Sequence, residues 1–155
     1  MKIHIKQILP ESFVDYKKCS MLICGCTCTF KCGKELCQNS PLAKSETKEI
    51  PIQKIVEEYL KNDLTSAIVF GGLEFMDQFF ELIECVHAFR EKTDDDIIIY
   101  TGYNKNEIKE KIILLKKYSN IIIKYGRFIP GQQAHFDEVL GVNLASDNQY
   151  AEKIS

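Results

Sequence analysis

The chain has 155 residues, of which 45% are apolar and 27% charged, a length and composition typical of one globular domain with its own core. Its formal net charge is −2, and its lysines are interspersed with glutamates, which leaves no basic face for nucleic acid and no polybasic run for a membrane surface. The first residues lack the apolar run of a signal peptide or membrane span. We therefore expect a single domain over residues 1–155 that stays in the cytoplasm.

The first half of the chain predicts a strand, a loop and a helix. Met21 to Thr27 form an extended apolar run, and a loop rich in Cys, Gly and Lys follows as far as Ser40. Pro51 suits the first turn of a helix that ends near Lys61. Apolar side chains recur along this helix at helical spacing: Ile52, Ile55, Val56, Tyr59 and Leu60.

The second half repeats a strand followed by a helix. Apolar strands are predicted at residues 66–70, 96–100 and 120–125. A helix is expected from Met76 to Lys92, and a second helix begins where Asn104 and Glu107 have the spacing of a capping box. Runs such as IIIY and IIIK are apolar on both faces, which is typical of parallel strands covered by helices. The pattern predicts an α/β fold.

A loop follows each of the four predicted strands. Because the carboxyl ends of parallel strands meet at one edge of a sheet, these loops are expected to share one rim. They are the cysteine-rich loop, Gly71 to Glu74, Thr101 to Tyr103, and Gly126 to Phe128.

The cysteines indicate a metal site. Five of the seven lie between Cys24 and Cys37, and clustered thiols in a reducing cytosol are more often metal ligands or redox groups than disulfides. Cys28, Cys32 and Cys37 place three thiolates on one loop, at the uneven spacing that suits an iron–sulfur cluster with one iron left open. Structural zinc typically takes two CxxC pairs, which the sequence lacks, so zinc is the less favoured alternative. The other thiols are expected in the core (Cys24, Cys26 and Cys85) or in a loop (Cys19).

The order of motifs along the chain also carries a family resemblance. A three-cysteine loop is followed by VFGGLE at residues 69–74, IYTGY at 99–103, GRF at 126–128 and SDNQ at 146–149. Over most of its length the chain resembles the small radical S-adenosylmethionine activating proteins of anaerobic ribonucleotide reductase. The resemblance implies a partial (β/α) barrel with a mainly parallel sheet.

The same resemblance implies the chemistry. Cys28, Cys32 and Cys37 would bind a [4Fe-4S] cluster whose open iron chelates the amino and carboxylate groups of S-adenosylmethionine. An electron from a donor such as flavodoxin or ferredoxin would cleave the sulfonium and yield a 5′-deoxyadenosyl radical. That radical would abstract hydrogen from a glycine of a large protein partner, anaerobic ribonucleotide reductase.

Six residues of the rim are the expected S-adenosylmethionine ligands: Gly71, Gly72, Glu74, Thr101, Tyr103 and Arg127. The two glycines would let the backbone approach the cofactor, Glu74 would accept a hydrogen bond from its amino group, and Arg127 would hold a carboxylate or an acidic group of the partner. Simpler interpretations stay open for each type of residue, namely a turn, a helix-opening acidic residue and a surface ion pair.

The cysteine spacing differs from that of the family. The usual motif is CxxxCxxC with an aromatic residue before the third cysteine, whereas this chain has CxxxCxxxxC with Leu36 in that place. Gly33 could let the two additional residues bulge outward. The expanded motif keeps a second function open, that of a noncatalytic cluster-binding or electron-transfer module with the same fold.

Overall fold

The structure, a computed structural model, describes residues 1–28 and 40–155. The strands are β1 Lys2–Ser12, β2 Ser20–Gly25, β3 Lys48–Pro51, β4 Ala67–Gly71, β5 Asp96–Tyr100, β6 Ile121–Tyr125, β7 His135–Asp137, β8 Val142–Leu144 and β9 Tyr150–Lys153. The helices are α1 Ser40–Ala43, α2 Ile52–Lys61, α3 Phe79–Arg90 and α4 Lys109–Leu115. Short 3-10 turns, Phe75–Gln78 and Lys105–Ile108, lead into α3 and α4.

Seven strands form one open, mixed sheet in the order β3-β1-β2-β4-β5-β6-β9, and β7 pairs with β8 separately. The four central strands β2, β4, β5 and β6 are parallel, as expected, while β1, β3 and β9 join antiparallel. Residues 13–19, which connect β1 to β2, are too few for a parallel crossover, so these two strands must be antiparallel. The expectation of a mainly parallel sheet therefore holds for the centre of the sheet and not for its edges.

Most of the predicted elements are confirmed. The third predicted strand coincides with β5, α2 ends at Lys61, and both hydrogen bonds of the capping box between Asn104 and Glu107 are formed. One detail was wrong, because the helix expected from Met76 begins as a 3-10 turn. Leu60, the last of the apolar residues at helical spacing in α2, is exposed.

The two faces of the sheet bury different cores. Ile123 and Tyr125 of β6 pack with side chains of α2, α3 and α4, whereas Ile122 packs on the opposite face with Leu140 and Leu144. This alternation follows from the period of two in a strand, which sends successive side chains to opposite faces. Lys124 lies on β6 between Ile123 and Tyr125.

Among residues 1–28 and 40–155, every helix is too short or too polar to cross a membrane.

Candidate functional site

Hydrogen bonds join the four loops of the rim in series. The amide of Glu74 donates to the carbonyl of Thr27 (2.7 Å), and the amide of Gly102 donates to the Glu74 carboxylate (2.8 Å). The amide of Gly126 then donates to the carbonyl of Tyr103 (3.2 Å). The loops after β2, β4, β5 and β6 thus form the single rim that the strand pattern predicts.

Cys28 lies at this rim and is exposed, three residues after the end of β2 at Gly25. It directly follows Thr27, whose carbonyl holds the loop that contains Glu74. Cys32 and Cys37, together with Gly33 and Leu36, lie outside the described residues. Within residues 1–28 and 40–155, no three His, Cys, Asp or Glu side chains are grouped to hold a metal ion.

The other described cysteines are poorer ligands. Burial raises the pKa of Cys24 to about 11, and it also raises the pKa of the fully buried Cys85. Burial is likewise the main cause of the raised pKa of the half-buried Cys26. Cys19 precedes β2 and therefore lies at the opposite edge of the sheet from the rim. Since iron binds the thiolate, Cys28 is the described thiol best placed to be a ligand.

Gly72 brings the β4 loop directly against β2. Its backbone has a φ of +78°, a conformation that residues other than glycine rarely adopt. A Cβ added to Gly72 would lie 2.7 Å from the Cβ of Cys24 and 2.8 Å from Cδ2 of Leu42. Gly71 differs, because a Cβ there would make an ordinary contact of 3.5 Å with Leu22. Only the second glycine of the pair is therefore required by the fold.

Glu74 is buried and connects two rim loops. Its carboxylate accepts hydrogen bonds from the amide of Met76 (3.0 Å), the hydroxyl of Thr101 (2.8 Å) and the amide of Gly102 (2.8 Å). Burial raises the pKa of this carboxyl group. A carboxylate has about four acceptor positions, so the described residues leave Glu74 capacity for one further donor. The bond to Met76 matches the simpler interpretation of a helix-opening acidic residue.

The aromatic and basic residues of the rim contact one another. The hydroxyl of Tyr103 donates to Asp77 (2.6 Å), and the guanidinium of Arg127 lies 5.7 Å from the centre of the Tyr103 ring. Arg127 also forms an ion pair with Glu107 at 3.3 Å. Thr101 is buried and donates to Glu74. The roles of Thr101, Tyr103 and Arg127 toward a cofactor remain predictions.

The SDNQ motif at residues 146–149 supports the last rim loop. The side-chain amide of Asn148 donates to the carbonyl of Arg127 (2.8 Å), and that of Gln149 donates to the carbonyl of Gly126 (3.1 Å). These hydrogen bonds fix the backbone that follows β6, so the SDNQ motif positions the last rim loop.

Lys124 is a rim residue that the motif-based interpretation missed. Its side chain is only 8% exposed, its ammonium donates to the carbonyl of Gly126 (3.1 Å), and it lies 5.5 Å from the centre of the Tyr100 ring. Burial lowers the pKa of Lys124 from 10.5 to about 8, although the negative charge of Glu74 acts to raise it. The sequence feature that could have identified Lys124 is a charged residue within the apolar run IIIKY.

Replacing Lys124 with Met should stabilise the protein in the absence of ligand. Met keeps the length and removes a buried charge, so we expect the free energy of unfolding to rise by about 2 kcal/mol at neutral pH. The gain should be complete below pH 8 and disappear as the pH approaches 10.5, because the folded state releases the proton of Lys124 first. Urea unfolding between pH 7 and 10 measures it, with the exposed Lys116→Met as control. A less stable Lys124→Met protein at pH 7 would contradict this prediction.

Comparison with known proteins gives the class of this site. An α/β sheet with an exposed cysteine at the carboxyl edge of its parallel strands is compatible with a cluster-binding domain. A model of the 4Fe-4S single cluster domain family matches residues 17–150. The chain belongs to this family and binds a [4Fe-4S] cluster, which favours iron over zinc. No curated protein shows significant similarity to the chain.

Proposed function

We propose that the protein is a radical S-adenosylmethionine activating enzyme, which cleaves S-adenosylmethionine reductively and installs a glycyl radical on a separate reductase chain. The observation that supports this best is the series of hydrogen bonds at the rim. It connects the backbone beside Cys28 to Glu74, and Glu74 to Thr101 and Gly102. A cofactor bound at the cysteine loop would therefore meet the polar groups expected to orient it.

Cys28, Cys32 and Cys37 would hold the cluster, and thiolates are the ligands that such clusters take. When bound, the cluster supplies the electron for cleavage and an open iron for the amino-acid end of S-adenosylmethionine. The chain itself would orient the substrate. Gly72 packs the β4 loop that carries Glu74 against β2, and the remaining acceptor position of Glu74 suits the substrate's amino group.

A large protein is the partner that this architecture suits. A primary carbon radical must be kept from water, and an open sheet leaves its rim for a partner to cover. We propose anaerobic ribonucleotide reductase as that partner, with flavodoxin or ferredoxin as electron donor. The family resemblance and the open sheet support this choice.

Anaerobic reconstitution followed by incubation with S-adenosylmethionine and dithionite tests the proposal. Mass spectrometry should detect 5′-deoxyadenosine and methionine in equal amounts, and Cys28→Ala should produce neither. A protein that holds a full cluster and forms no 5′-deoxyadenosine would contradict the enzymatic function.

A noncatalytic cluster-binding module is the second candidate, favoured by the CxxxCxxxxC spacing. Deleting Gly33 and Lys34 restores CxxxCxxC and separates the two functions. If the parent is an enzyme and the added residues bulge outward, the deletion should change the rate of cleavage by less than about tenfold, which is roughly 1.4 kcal/mol in the barrier. Activity that appears only after the deletion would identify the natural chain as the noncatalytic module.

A further inference from the structure

We propose that Lys124 is the residue that binds the carboxylate of the ligand's amino-acid moiety at the rim. The assignment rests on the proposed function, because it takes S-adenosylmethionine as the ligand. It differs from the expectation drawn from the motifs, in which Arg127 holds the carboxylate.

The side chain of Lys124 lies at the carboxyl end of the parallel sheet. Its neighbours Ile123 and Tyr125 pack in the core beneath the helices, so Lys124 is directed to the other face, where its ammonium approaches the Tyr100 ring. The hydrogen bond to the carbonyl of Gly126 then holds the ammonium next to the first residue of the last rim loop. The cation is therefore buried and also positioned at the site.

The described residues leave this ammonium incompletely satisfied. Of its three N–H groups, one donates to the carbonyl of Gly126, and within residues 1–28 and 40–155 no carboxylate forms an ion pair with it. Glu74 carries the nearby negative charge, but its oxygens already accept from Met76, Thr101 and Gly102. Buried charges in proteins are normally paired, so an anion from outside would complete the site.

Arg127 is a weaker candidate for the same anion. Its guanidinium is paired with Glu107, and 39% of its side chain is exposed. An ion pair at that position is screened by solvent, whereas one at Lys124 would form where water is largely excluded. The rim thus offers one buried cation, among the residues described, for a carboxylate.

Glu74 and Lys124 together match an α-amino acid group. Glu74 follows β4 and Lys124 is the penultimate residue of β6, the two strands that flank β5. Thr101, directly after β5, donates through its hydroxyl to the Glu74 carboxylate and through its amide to the backbone carbonyl of Lys124 (2.8 Å). A buried acceptor and a buried cation at the carboxyl ends of strands on either side of β5 suit a ligand that carries an ammonium and a carboxylate on one carbon.

Binding measurements on the reconstituted holoprotein under anaerobic conditions test the assignment of Lys124 as the carboxylate-binding residue. Isothermal titration compares S-adenosylmethionine with its decarboxylated analogue for the natural protein, Lys124→Met, the competing candidate Arg127→Met and the matched control Lys116→Met, an exposed lysine. We expect Lys124→Met to bind S-adenosylmethionine about 10- to 100-fold more weakly while its affinity for the analogue is unchanged, and Lys116→Met to change either affinity less than about threefold. Unchanged analogue binding also shows that Lys124→Met is folded.

Other outcomes overturn one or both proposals. If the natural protein binds S-adenosylmethionine and Lys124→Met keeps the same preference over the analogue, the carboxylate is held elsewhere, and the assignment to Lys124 is wrong while the proposed function stands. A larger loss in Arg127→Met than in Lys124→Met has the same meaning. If the natural protein with a full cluster binds neither compound, the proposed function fails and the assignment fails with it.

Discussion

Replacing Cys28 with Ala should abolish the cluster. The side chain is exposed at the rim and is one of three thiols on the cysteine loop, and a cluster bound by three thiolates has no substitute ligand when one is removed. We expect the reconstituted variant to lose nearly all bound iron and sulfide, together with its visible absorbance. Iron and sulfide analysis after anaerobic gel filtration measures the effect.

Two other cysteines provide matched controls for this loss. Cys19→Ser changes a partly exposed thiol at the opposite edge of the sheet and should leave the iron content unchanged. Cys85→Ala removes a fully buried thiol and should cost only packing, about 1 kcal/mol of unfolding free energy. Iron loss in Cys85→Ala as complete as in Cys28→Ala would overturn the ligand assignment.

Gly72→Ala should destabilise the protein by about 4 kcal/mol, the sum of a disfavoured backbone conformation and overpacking. The φ of +78° strains any side chain, and the new Cβ would approach both Cβ (2.7 Å) and Cα (3.0 Å) of Cys24. One of these is a backbone atom of β2, so the collision cannot be relieved by rotating a side chain. Urea unfolding of the natural and variant proteins, without ligand, gives the difference.

Gly131→Ala is the matched control for Gly72→Ala. Gly131 has a similar φ of +86°, but an added Cβ there meets no atom within 4 Å. This variant should lose only the conformational part, about 1 kcal/mol. Equal losses at the two positions would show that the contact between Gly72 and Cys24 does not constrain the rim.

Local patterns in the sequence were sufficient to predict much of the fold. The strand Asp96–Tyr100 and the buried face of α2 follow from apolar spacing, and the capping box follows from two residues three positions apart. The common rim could also be predicted, because parallel strands bring their following loops to one edge. For the candidate site, this reasoning placed Cys28 and Glu74 in neighbouring loops.

The remaining features of the fold and of the candidate site depend on contacts between residues that are distant in sequence. The sequence by itself determined the α/β class, the central strands and the family motifs, since each depends on spacing within a short segment. Only the tertiary structure showed that the sheet edges are antiparallel, that Glu74 already accepts three hydrogen bonds and that Arg127 is paired with Glu107. Only it placed the charge of Lys124 in the protein interior beside Tyr100. The physical reason is that burial and pairing depend on which strands become neighbours, and local spacing does not specify the partner of a side chain.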